Sequence, residues 1–331
     1  MHSLHDAPDA NLAKQEHRFA IVFIHGIFSS VATFEQMFRD LSTAPELVRR
    51  RVEFWYYDYD FYDSLESNGE RFASLLTTNF GAGCRVVIIA HSMGGLVSRL
   101  AVVRSRLSFV RLVFLLGTPN SGAVRLAQLG LLSGAIQEQL GVVFALFPRV
   151  SGIADLTRAS KILRGYSREG ASNAREVCYV SIPGLVFHKD QGIVEYFRGG
   201  RSKLFGVLAV GSEALSAIYP FFGIRFERPH DGIVEETSND LTQCPVWHEK
   251  IASVGQQRRE APYTCLHVRM PACEDLDHMQ IQSDPDIIST VEELSVAAFD
   301  SARAAFASCV KSWVDGFGEE DKDTYSVKFE A

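Results

Sequence analysis

The sequence predicts an α/β architecture: a mostly parallel central sheet flanked by helices, with a helical, lid-like insertion. Short apolar runs of strand length alternate along the 331-residue chain with stretches of helical period. Those runs are apolar on both faces, as strands covered by helices on each side must be. The segments that join them are long enough for a helix, which is what parallel neighbours require.

The elements follow in order. "FAIVFIHG" (19–26) is a near-continuous apolar strand, and "SSVATFEQMFRDLS" after it places Val31, Phe34, Met37, Phe38 and Leu41 at helical spacing. "RVEFWYYDY" is a strand, "SLESNGERFASLLTTNF" a helix, "RVVIIAHS" a strand, "GGLVSRLAVVRS" a helix and "VRLVFLLGTP" a further strand. From Asn120 the pattern changes to a long apolar and mostly helical stretch containing "LAQLGLLSGAIQEQLGVVFALFP". The sheet resumes at "EVCYVSIPG" (176–184), "YTCLHVRM" (263–270) is the expected last core strand, and "DIISTVEELSVAAFDSARAAFASCVKSWV" supplies a closing helix. The expected organisation is a first core part at 18–120, a helical lid or cap at 121–170, a second core part at 171–315 with an irregular insertion at about 185–225, and a frayed tail at 316–331. No internal repeat or low-complexity linker interrupts it.

Composition narrows the partners. Hydrophobic residues make up 47% of the chain, enough for one large core, and the net charge is −7. Such a chain offers no broad basic surface for a phosphate backbone, so nucleic acid is not an expected partner. Cys84, Cys178, Cys244, Cys265, Cys273 and Cys309 are scattered without a C-x-x-C pair and read as reduced, buried thiols. The opening "MHSLHDAPDANLAKQEHRFA" has acidic residues and no apolar core of a secretory signal. No apolar run reaches the roughly 18 residues of a membrane span. A cytoplasmic protein with at most peripheral membrane contact is the expectation.

The chemistry centres on "AHSMGG" (90–95), between an apolar strand and a helical pattern. A serine hydroxyl is a weak nucleophile unless a base takes its proton and donors receive the developing oxyanion. A sharp strand-to-helix turn meets the geometric need, because it lifts the hydroxyl from the sheet and aims the next N–H at the oxyanion. Ser92 is therefore the candidate nucleophile and Met93 N–H a candidate donor. Ala90 stands where G-x-S-x-G has its first glycine, and its methyl group is read as tolerated crowding. Upstream, "FIHGIFSS" ends an early strand at His25-Gly26, which places Ile27 N–H as the second donor, with Phe28 as the alternative.

Several segments, "FIHGIFSS", "AHSMGGLVSR", "LLGTPNSGA", "DGIVEETS" and "DLDHMQI", resemble those of the lipase and esterase branch of the α/β-hydrolase fold. The resemblance is to bacterial triacylglycerol lipases and GPI-inositol deacylase-like proteins. It covers residues 18–130 well and the chain after 225 in short motifs. It implies a triad of turn serine, downstream acid and later histidine, in that chain order.

Asp231, in "RPHDGIVEETS", matches the D-G-[IV]-V element that carries the acid in that family, and Asp190 in "FHKDQG" is its rival. His278, in "CEDLDHMQI", follows the last predicted strand as a loop-borne base must. His267 lies inside a strand pattern and reads as a sheet residue, and His248 as a loop residue. His91 points to the face opposite its neighbour Ser92 and is assigned, like His25, to structural support.

The expected activity is cleavage of a carboxylic ester, a lipid or other acyl ester, through an acyl-enzyme at Ser92. An intracellular thioesterase or acyltransferase would use the same residues, and a non-catalytic binding protein on the same fold is the remaining alternative. Phe28, Leu126, Leu129 and Phe144 are candidate substrate-lining residues. No cofactor or metal is expected, since neither H-E-x-x-H nor a clustered Cys/His spacing occurs.

Overall fold

A computed structural model of the chain describes residues 2–3, 18–27, 29–81, 83–105, 107–122, 155–156, 177–185, 229–231, 234–241, 265–274, 276, 278–300 and 326–330. The elements in chain order are β1 (His2–Ser3), β2 (Arg18–Ile24), α1 (Glu35–Thr43), α2 (Pro45–Arg49), β3 (Glu53–Tyr57), α3 (Leu65–Asn79), β4 (Cys84–His91), α4 (Met93–Ser105), β5 (Val110–Leu116), β6 (Cys178–Ile182), α5 (Glu236–Asn239), β7 (Cys265–Arg269), α6 (Pro285–Asp300) and β8 (Ser326–Glu330).

Successive side chains of a strand point to opposite faces, so a strand apolar at every position needs cover on both. In β2, Ala20, Val22 and Ile24 join Val86, Ile88 and Ala90 of β4 in a cluster closed by Phe72 and Leu76 of α3 and Leu96 and Leu100 of α4. Ile21 and Phe23 point the other way. With Val87, Ile89, Leu112 and Phe114 they meet Met37 and Leu41 of α1 and Ile287, Val291 and Leu294 of α6. Helix α4 is buried at every position from Met93 to Val102, which explains why its sequence shows no polar stripe.

The sheet has eight strands in the order β1-β3-β2-β4-β5-β6-β7-β8. The six from β3 to β7 are parallel, and the two at the edges run antiparallel to their neighbours. The chain leaves β2 for β3 on one side and returns to β4 on the other. Strand order thus switches direction between β2 and β4, and ligand crevices of open α/β sheets lie beyond the carboxyl ends of strands at such a point. Ile24 pairs with Ala90, so the segments that follow, His25-Gly26-Ile27 and His91-Ser92, emerge side by side.

One expectation needs correction. The frayed tail of 316–331 includes an edge strand, because Ser326–Glu330 pairs with β7 from Cys265↔Glu330 to Arg269↔Ser326. "YTCLHVRM" holds β7, the last of the parallel strands. At the opposite edge, His2–Ser3 pairs with Tyr56 and Trp55, an element outside the pattern read from the sequence. Of the expected lid at 121–170, only 121–122 and 155–156 are described. Leu156 is buried in the cluster with α3 and α4, and Asp155 Oδ2 accepts the Leu65 N–H at 3.0 Å. The remainder of that stretch, most of the irregular insertion, and the closing helix beyond Asp300 lie outside the described residues.

Candidate active site

Ser92 stands in the turn between β4 and α4 with φ of 53°, in the left-handed region that a residue with a Cβ seldom adopts. Two backbone bonds hold the turn: Ser92 N–H donates to Leu116 O at 2.9 Å, and Gly95 N–H donates to Ser92 O at 3.0 Å. Glycine is needed next to it for space. A Cβ on Gly94 would lie 2.7 Å from Ile24 O, and one on Gly26 would lie 2.8 Å from Ser92 Cβ. The strand-to-helix turn and the loop after β2 therefore touch backbone to backbone. Ala90, at the first motif position, is fully buried among apolar neighbours, and its methyl group fills space in that cluster.

Ile27 and Met93 flank this contact. Neither N–H donates to an acceptor among the described residues. The Met93 N–H lies in the first turn of α4, where helical geometry supplies no partner and favours a negative charge.

The third part comes from far along the chain. Asp231 forms a tight turn in which its Oδ1 accepts the Val234 N–H at 2.7 Å and its own N–H donates to Val234 O at 3.1 Å. Its second oxygen, Oδ2, accepts from His278 Nδ1 at 2.6 Å. The backbone repeats the link, with His278 N–H donating to Asp231 O at 2.9 Å. Both side chains are buried. A carboxylate on Nδ1 sets the ring's tautomer and leaves Nε2 as the nitrogen able to take a proton. The pair sits over the end of β5, since a Cβ on Gly117 would lie 3.1 Å from both Asp231 Oδ2 and His278 Nδ1.

His91 joins the two halves. Its Nε2 donates to the His278 carbonyl at 2.7 Å, and the two rings lie 4.7 Å apart. Being next to Ser92 in the chain and against His278 in space, it brings the serine turn and the Asp231–His278 pair into one site. Burial, and then the neighbouring His278, hold its pKa well below 6.5, so the ring stays neutral.

His267, read from the sequence as a sheet residue, is fully buried in β7, with Ser181 Oγ 3.0 Å from its Nδ1. Asp190, His248, Phe28, Leu126, Leu129 and Phe144 lie outside the described residues. Two neighbours of the site were not singled out in the sequence: Asp58 and Tyr59, in the loop after β3, both contact His25. Their only local signal is the polar break in "WYYDYD". Among the described residues no group of His, Cys, Asp and Glu is arranged to hold a metal ion, and no helix is long and apolar enough to cross a membrane.

A parallel sheet covered on both faces, a left-handed serine after the fourth strand and a buried Asp–His pair beyond the later strands make up an α/β-hydrolase fold. The chain belongs to the PGAP1-like alpha/beta domain family, whose model matches residues 17–186, more than half of its length. No curated protein sequence matches it. Among solved structures, phospholipase PlaB from Legionella pneumophila superposes with a TM-score of 0.52 at 11% identity, covering 94% of this chain and 68% of its own. Its complex with thio-NAD gives 0.50 at 13% identity, covering 94% and 67%. A metagenomic carboxyl esterase gives 0.41 at 14% identity, covering 67% of this chain and 59% of its own.

Proposed function

We propose that the protein is a serine hydrolase that cleaves carboxylic esters, of lipids or other acyl compounds, through an acyl-enzyme. The observation that carries this reading is the 2.6 Å contact between His278 Nδ1 and Asp231 Oδ2, tied through His91 to the serine turn. His278 Nε2 takes the proton of Ser92 as its Oγ bonds to the ester carbonyl carbon, and Asp231 stabilises the resulting imidazolium. The Ile27 and Met93 N–H groups hold the oxyanion. Collapse of the tetrahedral intermediate breaks the bond to the alcohol, which leaves with the proton from His278. Water, deprotonated by the same nitrogen, then attacks the acyl-enzyme and releases the acid. Family membership and the phospholipase among the structural neighbours support a lipid or other acyl ester as substrate.

The test is hydrolysis of p-nitrophenyl acyl esters of increasing chain length by wild type and Ser92→Ala. Wild type should turn over at least one chain length. Ser92→Ala should lose about 10³-fold or more in kcat while keeping its circular dichroism spectrum. His278→Ala should fall nearly as far, and Asp231→Asn should retain more. Equal rates in wild type and Ser92→Ala would remove the serine from the chemistry.

A further inference from the structure

We propose that His25, bonded to Asp58 and stacked on Tyr59, is a positioning residue that sets the direction of the Ile27 N–H in the oxyanion hole. This rests on the ester-hydrolase reading above. His25 Nδ1 lies 2.8 Å from Gly26 O. That carbonyl belongs to the same peptide unit as the Ile27 N–H, and in a planar trans peptide the two point in opposite directions. A bond that fixes the oxygen therefore fixes the N–H. This peptide is also the one beside the serine, since Gly26 approaches Ser92 too closely to carry a side chain.

The ring is held on its remaining sides. Nε2 lies 3.0 Å from Asp58 Oδ1, the ring stacks on Tyr59 with centroids 4.5 Å apart, and Tyr59 Oη donates to His25 O at 2.9 Å. Burial pushes the Tyr59 phenol far above its ordinary range, so it remains a donor at any working pH. Hydrogen counting gives the rest. A carbonyl oxygen only accepts, so Nδ1 carries the hydrogen of its contact with Gly26 O. His25 is 1% exposed, whereas the Asp58 side chain is 63% exposed. The pair thus links a surface carboxylate to a buried peptide of the site, and neither residue touches the reacting atoms.

The experiment uses the full chain, a p-nitrophenyl ester and active-site titration by a fluorophosphonate, so that rates are expressed per competent site. Losing an oxyanion donor costs about 10²–10³ in kcat, and a misdirected donor should cost part of that. The expected result is a kcat loss of about tenfold in Asp58→Ala and about hundredfold in His25→Leu, with KM within about twofold. His25→Asn, which keeps a donor near the Nδ1 position, should recover much of the loss. Affinity for an alkyl boronic acid, which mimics the tetrahedral intermediate, should fall in parallel with kcat. A merely structural role would lower the fraction of titratable sites and leave kcat per site and boronate affinity unchanged. That result, in variants of an active wild type, overturns this proposal alone. A wild type with no Ser92-dependent turnover or labelling overturns the ester-hydrolase reading, and this proposal with it.

Discussion

His91 illustrates how much one side chain beside the site is asked to do. Its Nε2 must carry a hydrogen, because the atom facing it is the His278 carbonyl oxygen. Charging the ring would add a cation between buried groups, with His278 and His25 close by, and its pKa in the fold lies well below the ordinary 6.5. The sign follows from linkage. A histidine depressed in the folded state contributes stability that is present above about 6.5 and is lost as pH falls, since the unfolded chain takes up the proton first. His91→Gln, which keeps a donor but cannot be protonated, should move the acid-unfolding midpoint to lower pH in a circular dichroism titration. A midpoint that stays in place would show that His91 is not what acid attacks. At this scale the sequence was informative where chemistry is local. Ser92 is legible because strand, turn and helix are contiguous, and Asp231 and His278 because each sits in a short motif. The contact of His25 with Asp58 was not, since it joins the ends of two neighbouring strands and leaves no spacing to detect.

Helix α3 shows the same division among elements. Ser64 is its N-cap, with Oγ accepting the Ser67 N–H at 3.1 Å, and Asp155 Oδ2 accepts the next exposed donor, Leu65 N–H, at 3.0 Å. The first bond is visible in "SLES" as a capping serine followed by an acidic first turn, and the second crosses from a distant segment and is not. Ser64→Ala should cost about 1 kcal/mol in urea unfolding, with the helix otherwise retained. The edge strands were harder to read. In β8, Val327 and Phe329 alternate with Ser326, Lys328 and Glu330, which is the period of an antiparallel edge. The run is short and lies among charged residues, whose pattern is also that of a frayed tail. In β1, two residues are too few to carry any period.

For the whole molecule, the stretch matched by the family model and the candidate site do not coincide. Residues 17–186 contain Ser92 and the strands from β2 to β6, but not Asp231, His278, β7 or α6. Without α6, the face of the sheet that holds Ile21, Phe23, Ile89 and Phe114 loses Ile287, Val291, Leu294 and Phe299 from its cover. A chain ended at residue 186 should lack a sharp urea transition and bind the dye ANS, where the full chain shows one transition and little dye binding. Sheet order was legible only in part for a related reason. Periodicity identifies strands, and helix-length connections make them parallel, but nothing local states that β2 lies between β3 and β4.

That placement also orders events in time. Strands β2 to β5 are made in one early stretch of chain and pair with one another, whereas β6 and β7 join the sheet across long intervening stretches. Contacts between nearby residues form fastest, and a chain leaving the ribosome offers its early segments first. The newborn chain therefore presents Ser92 and the strands around it well before Asp231 and His278 have been synthesised. The Asp231–His278 pair reaches the serine turn only as the last parallel strand and α6 close the sheet.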